Sequence, residues 1–277
     1  MARTRRRLAA YSASTMSTAL VTGASAGIGR AFAERLAREG TDLVLVARDR
    51  TRLDELATGV RMRHGVAVEV LVADLSDREA TARVCARIED DVRPIDLLVN
   101  NAGFGLKGSF LDNDLADEEA RLDVMVRAVM LTSHAAGRSM RARGHGAILN
   151  VSSIAGFIAN GTYSAEKAFV TVFTEGLAGE LAGSGVTATV LCPGFTHTEF
   201  HARAGIAMSA LPESLWLDAD DVVQQALTDV ARGKVVSVPG AQWKIVTAGV
   251  RVLPRPLLRG GTLRRLDRFR RPAGSPS

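Results

Sequence analysis

Short runs of apolar and β-branched residues recur from Thr18 onward, separated by longer stretches with helical spacing. Runs that are apolar on both faces are typical of a parallel sheet covered by helices on each side. The alternation predicts an α/β fold with a doubly wound parallel sheet of about seven strands. The predicted strands are TALVTG, DLVLVA, VAVEVLVA, IDLLVN, GAILNVSS, GVTATVLCPG and KVVSVPG; two long helices are predicted at Glu118–Arg143 and Tyr163–Ala182, and Ser76 with Glu79 predicts a capping box at the third helix.

The composition is that of one globular domain with two basic ends. The 277 residues are 47% hydrophobic and 23% charged, and the pattern contains no internal boundary. Residues 1–15 carry a charge of +4 and residues 251–277 carry +7. Because the whole chain carries +5, the body between these ends carries −6. We predict a disordered basic extension over 1–16, one domain over 17–240 and a basic extension over 241–277. An acidic body argues against a nucleic-acid groove.

Cysteine and histidine usage predicts neither a disulfide framework nor a metal site. Cys85 and Cys192 have no metal-ligand spacing and predict two reduced thiols in a reducing, cytoplasmic compartment. No run reaches the ~18 apolar residues of a membrane span. The segment from Trp243 to Arg271 mixes apolar residues with arginines, so contact with a membrane surface stays open as an alternative, although Pro254 and Pro256 interrupt any helix there.

A glycine turn between the first strand and the first helix predicts a nucleotide site. Gly23, Gly27 and Gly29 allow the backbone to approach a pyrophosphate, and the helix start supplies N–H groups and a positive dipole end. Arg48, at the end of the second strand, suits the 2′-phosphate of NADP better than the free ribose of NAD, although Asp49 follows it. Asp74, at the end of the third strand, is placed to meet the adenine end.

A tyrosine and a lysine lie one helical turn apart in GTYSAEKAFV. The chain has only two Tyr and four Lys, so the pairing of Tyr163 with Lys167 asks for a chemical reason. A free phenol has a pKa of about 10, and a cation on the same helix face lowers it by stabilising the phenolate. The spacing therefore allows Lys167 to stabilise an ionised Tyr163.

Five motifs in order resemble the short-chain dehydrogenase/reductase family. They are TGASAGIG at 22–29, NNAG at 100–103, NVSS at 150–153, YSAEK at 163–167 and PG at 193–194, within a match over roughly residues 18–240. The resemblance implies a single Rossmann-type domain that uses a nicotinamide cofactor to oxidise an alcohol or reduce a carbonyl. It also implies a homodimer or homotetramer, formed through the two long helices.

The resemblance assigns roles to individual residues. Tyr163 is the general acid/base, Lys167 its partner and a ribose ligand, and Ser153 the hydroxyl that orients the substrate oxygen. The residues implied to bind the cofactor are Thr22, Gly23, Ser25, Gly27, Ile28, Gly29, Arg48, Asp74, Leu75, Asn100, Ala102, Gly103, Tyr163, Lys167, Pro193, Gly194 and Thr198.

The chain departs from the family pattern at two places. Ser153 lies ten residues before Tyr163, where the family usually has about thirteen; the shorter loop reshapes the substrate mouth and leaves Ser152 as a weaker candidate for the hydroxyl. Met125 stands where many members carry an asparagine that completes a proton relay, and a thioether cannot donate a hydrogen bond.

The expected function is NADP(H)-dependent interconversion of a carbonyl and a secondary alcohol. The predicted substrate wall, FGLKGSFL and FTHTEFHARAGIAM, is lean in fixed charges, so we expect a mainly apolar substrate. His197 and His201 lie near this wall and are interpreted as polar pocket or surface groups. The alternative is a non-catalytic NADP-binding sensor or scaffold, which Met125 favours and the intact Ser153, Tyr163 and Lys167 oppose.

Overall fold

The computed structural model describes residues 17–200 and 212–253, and within this part the α/β prediction is confirmed. All seven predicted strands are present, with the bounds Thr18–Thr22 (β1), Asp42–Ala47 (β2), Val68–Val72 (β3), Leu97–Asn100 (β4), Gly146–Val151 (β5), Val186–Leu191 (β6) and Val236–Ser237 (β7). They form one sheet of parallel strands in the order β3-β2-β1-β4-β5-β6-β7.

Helices cover both faces of this sheet, as the two-sided burial of its strands requires. The helices span Gly27–Arg38 (α1), Arg50–His64 (α2), Arg78–Ile88 (α3), Leu115–Leu122 (α4), Ala128–Arg143 (α5), Gly161–Glu180 (α6), Ala219–Ala231 (α7) and Ala241–Val252 (α8). One face of the sheet packs against α1, α2 and α7, and the other against α3, α5 and α6.

The predicted capping box at α3 is wrong by one residue. Asp77 is the N-cap, and its carboxylate accepts the N–H of Ala80 at 2.6 Å. Ser76 instead donates its hydroxyl to Asp74 at 2.7 Å. An aspartate competes well with serine for the cap position, so the choice between neighbours depended on the turn that precedes the helix.

The long helix predicted over Glu118–Arg143 is divided. A π-helical turn at Asp123–Arg127 joins α4 to α5, and it contains Met125. Such turns insert one extra residue and break the regular hydrogen-bond ladder, often at functional sites. Sequence periodicity could not show this insertion, because it shifts the apolar spacing by a single residue.

The C-terminal helices α7 and α8 were not predicted. Trp243 of α8 packs edge-on against Phe195, with ring centroids 5.4 Å apart, and donates its indole N–H to the Leu215 carbonyl at 3.1 Å. Its indole also lies so close to Gly194 that a Cβ there would overlap it. Ala241–Val252, assigned from the sequence to the basic extension, thus forms a helix that covers the end of the sheet.

Three expectations fall on residues that the structure does not describe. They are the disordered extension over 1–16, the rest of the C-terminal extension from Pro254 onward, and the placement of His201 in the substrate wall.

The topology creates a crevice at the carboxyl edge of the sheet. From β1 the chain builds outward through β2 and β3, and it then returns to the opposite side of β1 to add β4. The loops that leave β1 and β4 therefore turn away from each other and open a crevice between them. Doubly wound proteins bind their ligands in a crevice of this kind.

We expect Gly29→Ala to lower the free energy of unfolding by about 1–3 kcal/mol, the range typical of overpacking. A Cβ at Gly29 would overlap the Gly23 carbonyl oxygen and the Asn101 amide. Gly59→Ala in α2 is the control, because a Cβ there meets only the Arg63 side chain at 3.5 Å. Urea unfolding measures both, and wild-type stability in Gly29→Ala would contradict the close packing.

Candidate active site

A cleft of about 830 Å³ lies along the carboxyl edge of the sheet. Its walls come from the glycine turn before α1, the ends of β2 to β5, the first turn of α6 and residues 193–200. Most of the predicted site residues line it, although they are spread over the chain. These are Gly23, Ser25, Gly27, Ile28, Arg48, Asp74, Leu75, Ala102, Gly103, Ser153, Tyr163, Lys167, Pro193, Gly194 and Thr198.

Thr22, Gly29 and Asn100, three of the predicted cofactor residues, do not line the cleft. The Thr22 hydroxyl accepts the backbone N–H groups of Asn101 and Ala102, at 2.9 and 3.1 Å. Gly29 is buried against the Gly23 carbonyl. These residues fix the shape of the cleft wall from behind, because their polar groups are used within the protein.

Asn100 belongs to a fully buried hydrogen-bond network between the sheet and α5. Its amide donates to Asn150 at 2.9 Å and to Ser133 at 3.1 Å, and its carbonyl oxygen accepts from Thr132 at 2.8 Å. The Asn100 side chain therefore ties the sheet to α5 and points into this network.

Ser153 and Tyr163 both line the cleft, and the Ser153 hydroxyl acts on the Tyr163 phenol as a hydrogen-bonding neighbour. Burial raises the pKa of Tyr163 to about 12, and the hydrogen bond from Ser153 opposes this rise. The lowering expected from Lys167 is not found in this structure, because the Lys167 charge is not among the effects that shift the pKa of Tyr163. Burial is the largest of these effects, so the phenol holds its proton near neutral pH.

Lys167 lies behind the phenol. Its ammonium is 5.8 Å from the centre of the Tyr163 ring and donates to the Val151 carbonyl at 2.9 Å. Burial lowers the pKa of Lys167 to about 8, while the neighbouring Glu166 and Cys192 act in the opposite direction. Most of the lysine is thus charged at neutral pH, although its pKa lies only about one unit above that pH.

The two candidate serines have different positions. Ser152 is buried, donates to the Lys167 carbonyl at 2.7 Å and shares a 2.8 Å hydrogen bond with Thr171, so it ties α6 to the end of β5. Ser153 faces the phenol and also accepts the Ala155 N–H at 3.1 Å. The shortened loop to Tyr163 therefore still places a serine hydroxyl at the tyrosine.

Arg48 and Asp74 stand together at the far end of the cleft. The guanidinium is 3.7 Å from the Asp74 carboxylate, and both side chains are exposed. Burial acts to raise the pKa of Asp74, but hydrogen bonds from Ser76 and the charge of Arg48 outweigh it and lower the pKa. This end combines an exposed cation with a carboxylate that stays ionised.

Sequence reasoning missed several lining residues on the segment after β6. Glu199 is paired with Arg52 of α2 at 2.9 Å, and Phe200 packs against the Tyr163 ring with centroids 6.0 Å apart. Arg52 lies four residues after Arg48, on the helix that follows, and this spacing was the one signal available for it. No pattern in the sequence pairs Arg52 with a residue 147 positions away.

In residues 17–200 and 212–253 no cluster of three or more His, Cys, Asp or Glu side chains is arranged to hold a metal ion. Among the helices of the same residues, none has the length and apolar character needed to cross a bilayer.

Comparison with known proteins identifies the architecture around this cleft. The family model described as short chain dehydrogenase matches residues 17–207. The short-chain reductase protein NovJ of Streptomyces niveus is 37% identical over 227 residues, which cover 79% of this chain and 81% of that protein. The chain belongs to the short-chain dehydrogenase/reductase family.

Solved structures of the family agree with this assignment. A short-chain dehydrogenase from Sphingobium yanoikuyae in complex with NADPH is 37% identical, with a TM-score of 0.78 over 94% of this chain and 98% of that one. The bulky-bulky ketone specific alcohol dehydrogenase from Comamonas testosteroni is 31% identical, with a TM-score of 0.74 over 94% and 97%. This chain is therefore a short-chain dehydrogenase/reductase, an NAD(P)-dependent oxidoreductase acting on alcohol or carbonyl groups.

The family context makes Met125 the main chemical departure at this site. Met125 is 1% exposed, and a Cβ added to Gly103 would lie 3.3 Å from the Met125 sulfur. It fills space within the π-helical turn and supplies no proton donor. Any proton path past Lys167 must use other groups.

The lowered pKa of Lys167 predicts a pH-dependent stability. Between about pH 8 and pH 10 the unfolded chain retains a proton that the folded chain has released, so stability rises with pH in this window. We expect the free energy of unfolding to rise by about 2–3 kcal/mol more in wild type than in Lys167→Met between these two pH values. Urea titrations at both pH values measure it, with exposed Lys244→Met as control. Equal pH dependence in wild type and Lys167→Met would contradict the burial argument.

Proposed function

We propose that this chain uses NADP(H) to interconvert a ketone and a secondary alcohol on a mainly apolar substrate, with Tyr163 as the general acid/base. The observation that carries the proposal is that Ser153, Tyr163 and Lys167 line one largely apolar cleft, with the Lys167 ammonium 5.8 Å from the centre of the tyrosine ring.

The protein groups at the glycine turn fit a nicotinamide dinucleotide. Helix α1 begins at Gly27 with no side-chain cap and no acid in its first turn, so its N–H groups and dipole are available to a pyrophosphate. Gly23, at φ +65°, adopts the left-handed backbone that this turn requires. When bound, the cofactor supplies or accepts the hydride.

Tyr163 and Ser153 would handle the proton that accompanies the hydride. The phenol, with its raised pKa, holds a proton that it can donate to a substrate oxygen during carbonyl reduction. Ser153 would hydrogen-bond the same oxygen and fix its direction. For alcohol oxidation the tyrosine must act as a base, so a positive charge near the phenol would have to lower its pKa.

The substrate end of the cleft favours an apolar body. Arg121, a charged residue at this end, is already bonded to Glu118 and Glu166. The comparison protein from Comamonas testosteroni is described as specific for bulky-bulky ketones, which supports a large neutral ketone as the substrate class. The apolar lining consists of Phe104, Leu106, Ile154, Ile158, Phe195 and Phe200.

The adenosine end supports NADP over NAD. β2 ends at Ala47, where an acid would hold a free ribose, and the exposed Arg48 follows it. Arg52 brings a second guanidinium to the same end of the cleft. The structure from Sphingobium yanoikuyae, which contains NADPH, is consistent with this choice.

The homodimer or homotetramer and the cytoplasmic location stay predictions. Apolar side chains on the helices expected at the subunit interface support assembly, because they face solvent in the single chain. They are Leu122, Met130, Leu131, Phe169 and Val172.

A non-catalytic NADP sensor is the second candidate function, and buried Met125 is the observation that favours it. It predicts tight NADPH binding without NADPH oxidation for any member of a panel of apolar ketones and aldehydes. The intact Ser153–Tyr163 contact favours the enzyme.

Tyr163→Phe should abolish turnover and leave NADPH affinity nearly unchanged, because only the ionisable oxygen is removed. NADPH absorbance with an active ketone gives the rate, and fluorescence titration gives the affinity. Lys167→Ala is the comparison variant and should weaken both. Turnover by Tyr163→Phe at the wild-type rate would refute Tyr163 as the acid/base.

Wild type should bind NADPH at least about tenfold more tightly than NADH, and Arg48→Asp should narrow or reverse this ratio. The physical reason is the loss of a cation at the 2′-phosphate and its replacement by a repelling charge. Arg38→Asp, an exposed change at the far end of α1, is the matched control. A wild-type preference for NADH would show that our assignment of the β2 end is wrong.

A further inference from the structure

Three charged side chains are buried together beside Tyr163. Glu118 and Arg121 of α4 are 5% and 3% exposed, and Glu166 of α6 is 4% exposed. The Arg121 Nε donates to both oxygens of Glu166, at 3.1 and 3.0 Å, while Nη2 donates to Glu118 at 2.5 Å. We call these three residues the Arg121 cluster.

The cluster extends to two further segments around the cleft. Thr162, immediately before Tyr163, accepts from Arg121 and donates to Glu118 at 2.7 Å. Asn113, in the loop after β4, donates to the other oxygen of Glu118 at 2.7 Å. The cluster therefore joins that loop, α4 and the first turn of α6.

The first turn of α6 lacks the usual restraint at a helix start. The helix begins at Gly161, and its N-cap Asn160 makes no side-chain hydrogen bond to the first N–H groups. Gly161 has φ +70°, and a Cβ added to it would meet nothing within 4 Å, so little packing holds it. An uncapped helix end frays readily, and Tyr163 is only the third residue of this helix.

We propose that the Arg121 cluster is a positioning device for Tyr163: it replaces the missing cap by holding Thr162 and Glu166, and it places paired buried charges beside the phenol. The proposal rests on the proposed function in assigning chemistry to Tyr163. Arg121 and Glu166 act through Tyr163 and are positioning residues.

Stability alone does not explain such a cluster. Burying an ion pair costs several kcal/mol of desolvation per ion, and apolar replacements of similar size are often as stable. The cluster is placed where its charges act on the phenol: Arg121 lines the cleft, and Glu166 is three residues from Tyr163 on the same helix.

The groups that face Tyr163 act in opposite directions. Burial and Ser153 have the two largest effects on the pKa of Tyr163. Of the charged groups, Glu166 raises this pKa and Arg121 lowers it. Lys167 lies over the ring, and Glu118 acts on Glu166. Neutralising Glu166 alone should therefore leave Arg121 less compensated and favour the phenolate.

The first test neutralises Glu166 and observes the tyrosine directly. The chain contains only Tyr11 and Tyr163, so a protein labelled with ¹³Cζ-tyrosine gives two signals, assigned with Tyr163→Phe. In Glu166→Gln a shift of about half a pH unit would raise the phenolate-to-phenol ratio of Tyr163 about threefold at pH 11. Glu180→Gln, exposed on the same helix, should leave the ratio unchanged. An unchanged ratio in Glu166→Gln would overturn the electrostatic half of the proposal.

The second test removes the link at Thr162. Thr162→Val keeps the volume and deletes the hydroxyl, so we expect kcat to fall about tenfold with a KM for NADPH close to wild type. The melting temperature should fall by a few degrees, because Glu118 loses a buried hydrogen-bond donor, and the assay is run well below it. Thr162→Ser retains the hydroxyl and should restore kcat. Equal kcat in Thr162→Val and wild type, or a loss that Thr162→Ser does not restore, would overturn the positioning role.

The two tests separate this proposal from the proposed function. If wild type turned over no carbonyl or alcohol substrate, the proposed function would fail, yet the tyrosine signal would still report whether Glu166 acts on Tyr163. If turnover were normal and both tests negative, only the positioning role would fail.

Discussion

The reversal of strand order at β1 is the constraint on which the rest of the structure depends. Because β4 adds on the side of β1 opposite to β2, the loops after these strands diverge and leave a crevice at the carboxyl edge of the sheet. The buried Asn100 network holds β4, β5 and α5 together directly below it. The glycine turn and the tyrosine helix then meet across the crevice, although about 140 residues separate them.

Burial decides the chemistry inside this crevice. It raises the pKa of Tyr163 to about 12 and lowers that of Lys167 to about 8, so both groups are pushed away from their charged forms. The fixed charges of Arg121 and Glu166, and the Ser153 hydroxyl, act against that background. A site of this kind responds strongly to any charge that enters it, because the surroundings screen poorly.

Local patterns explain what could be predicted. The seven strands, α1 to α3 and the residues of the cleft wall follow from apolar runs, glycine spacing and short motifs, each contained within about twenty residues. The π-helical turn at Met125, helices α7 and α8, the Asp77 cap and the Arg52–Glu199 pair were missed. Apart from α7, which has a local signal in its Asp218 N-cap, each of these depends on a one-residue choice or on partners far away in the sequence.

The sequence by itself determined the fold class, the family and the identity of the Ser153, Tyr163 and Lys167 groups. Periodicity and motif order are properties of the chain that survive without its three-dimensional contacts. Only the tertiary structure decided that Asn100 points away from the cleft, that Lys167 bonds to Val151 and that Arg121 lies between two carboxylates. Those outcomes depend on burial and on side-chain contacts between helices and strands that are distant in sequence. The order of residues along the chain shows neither.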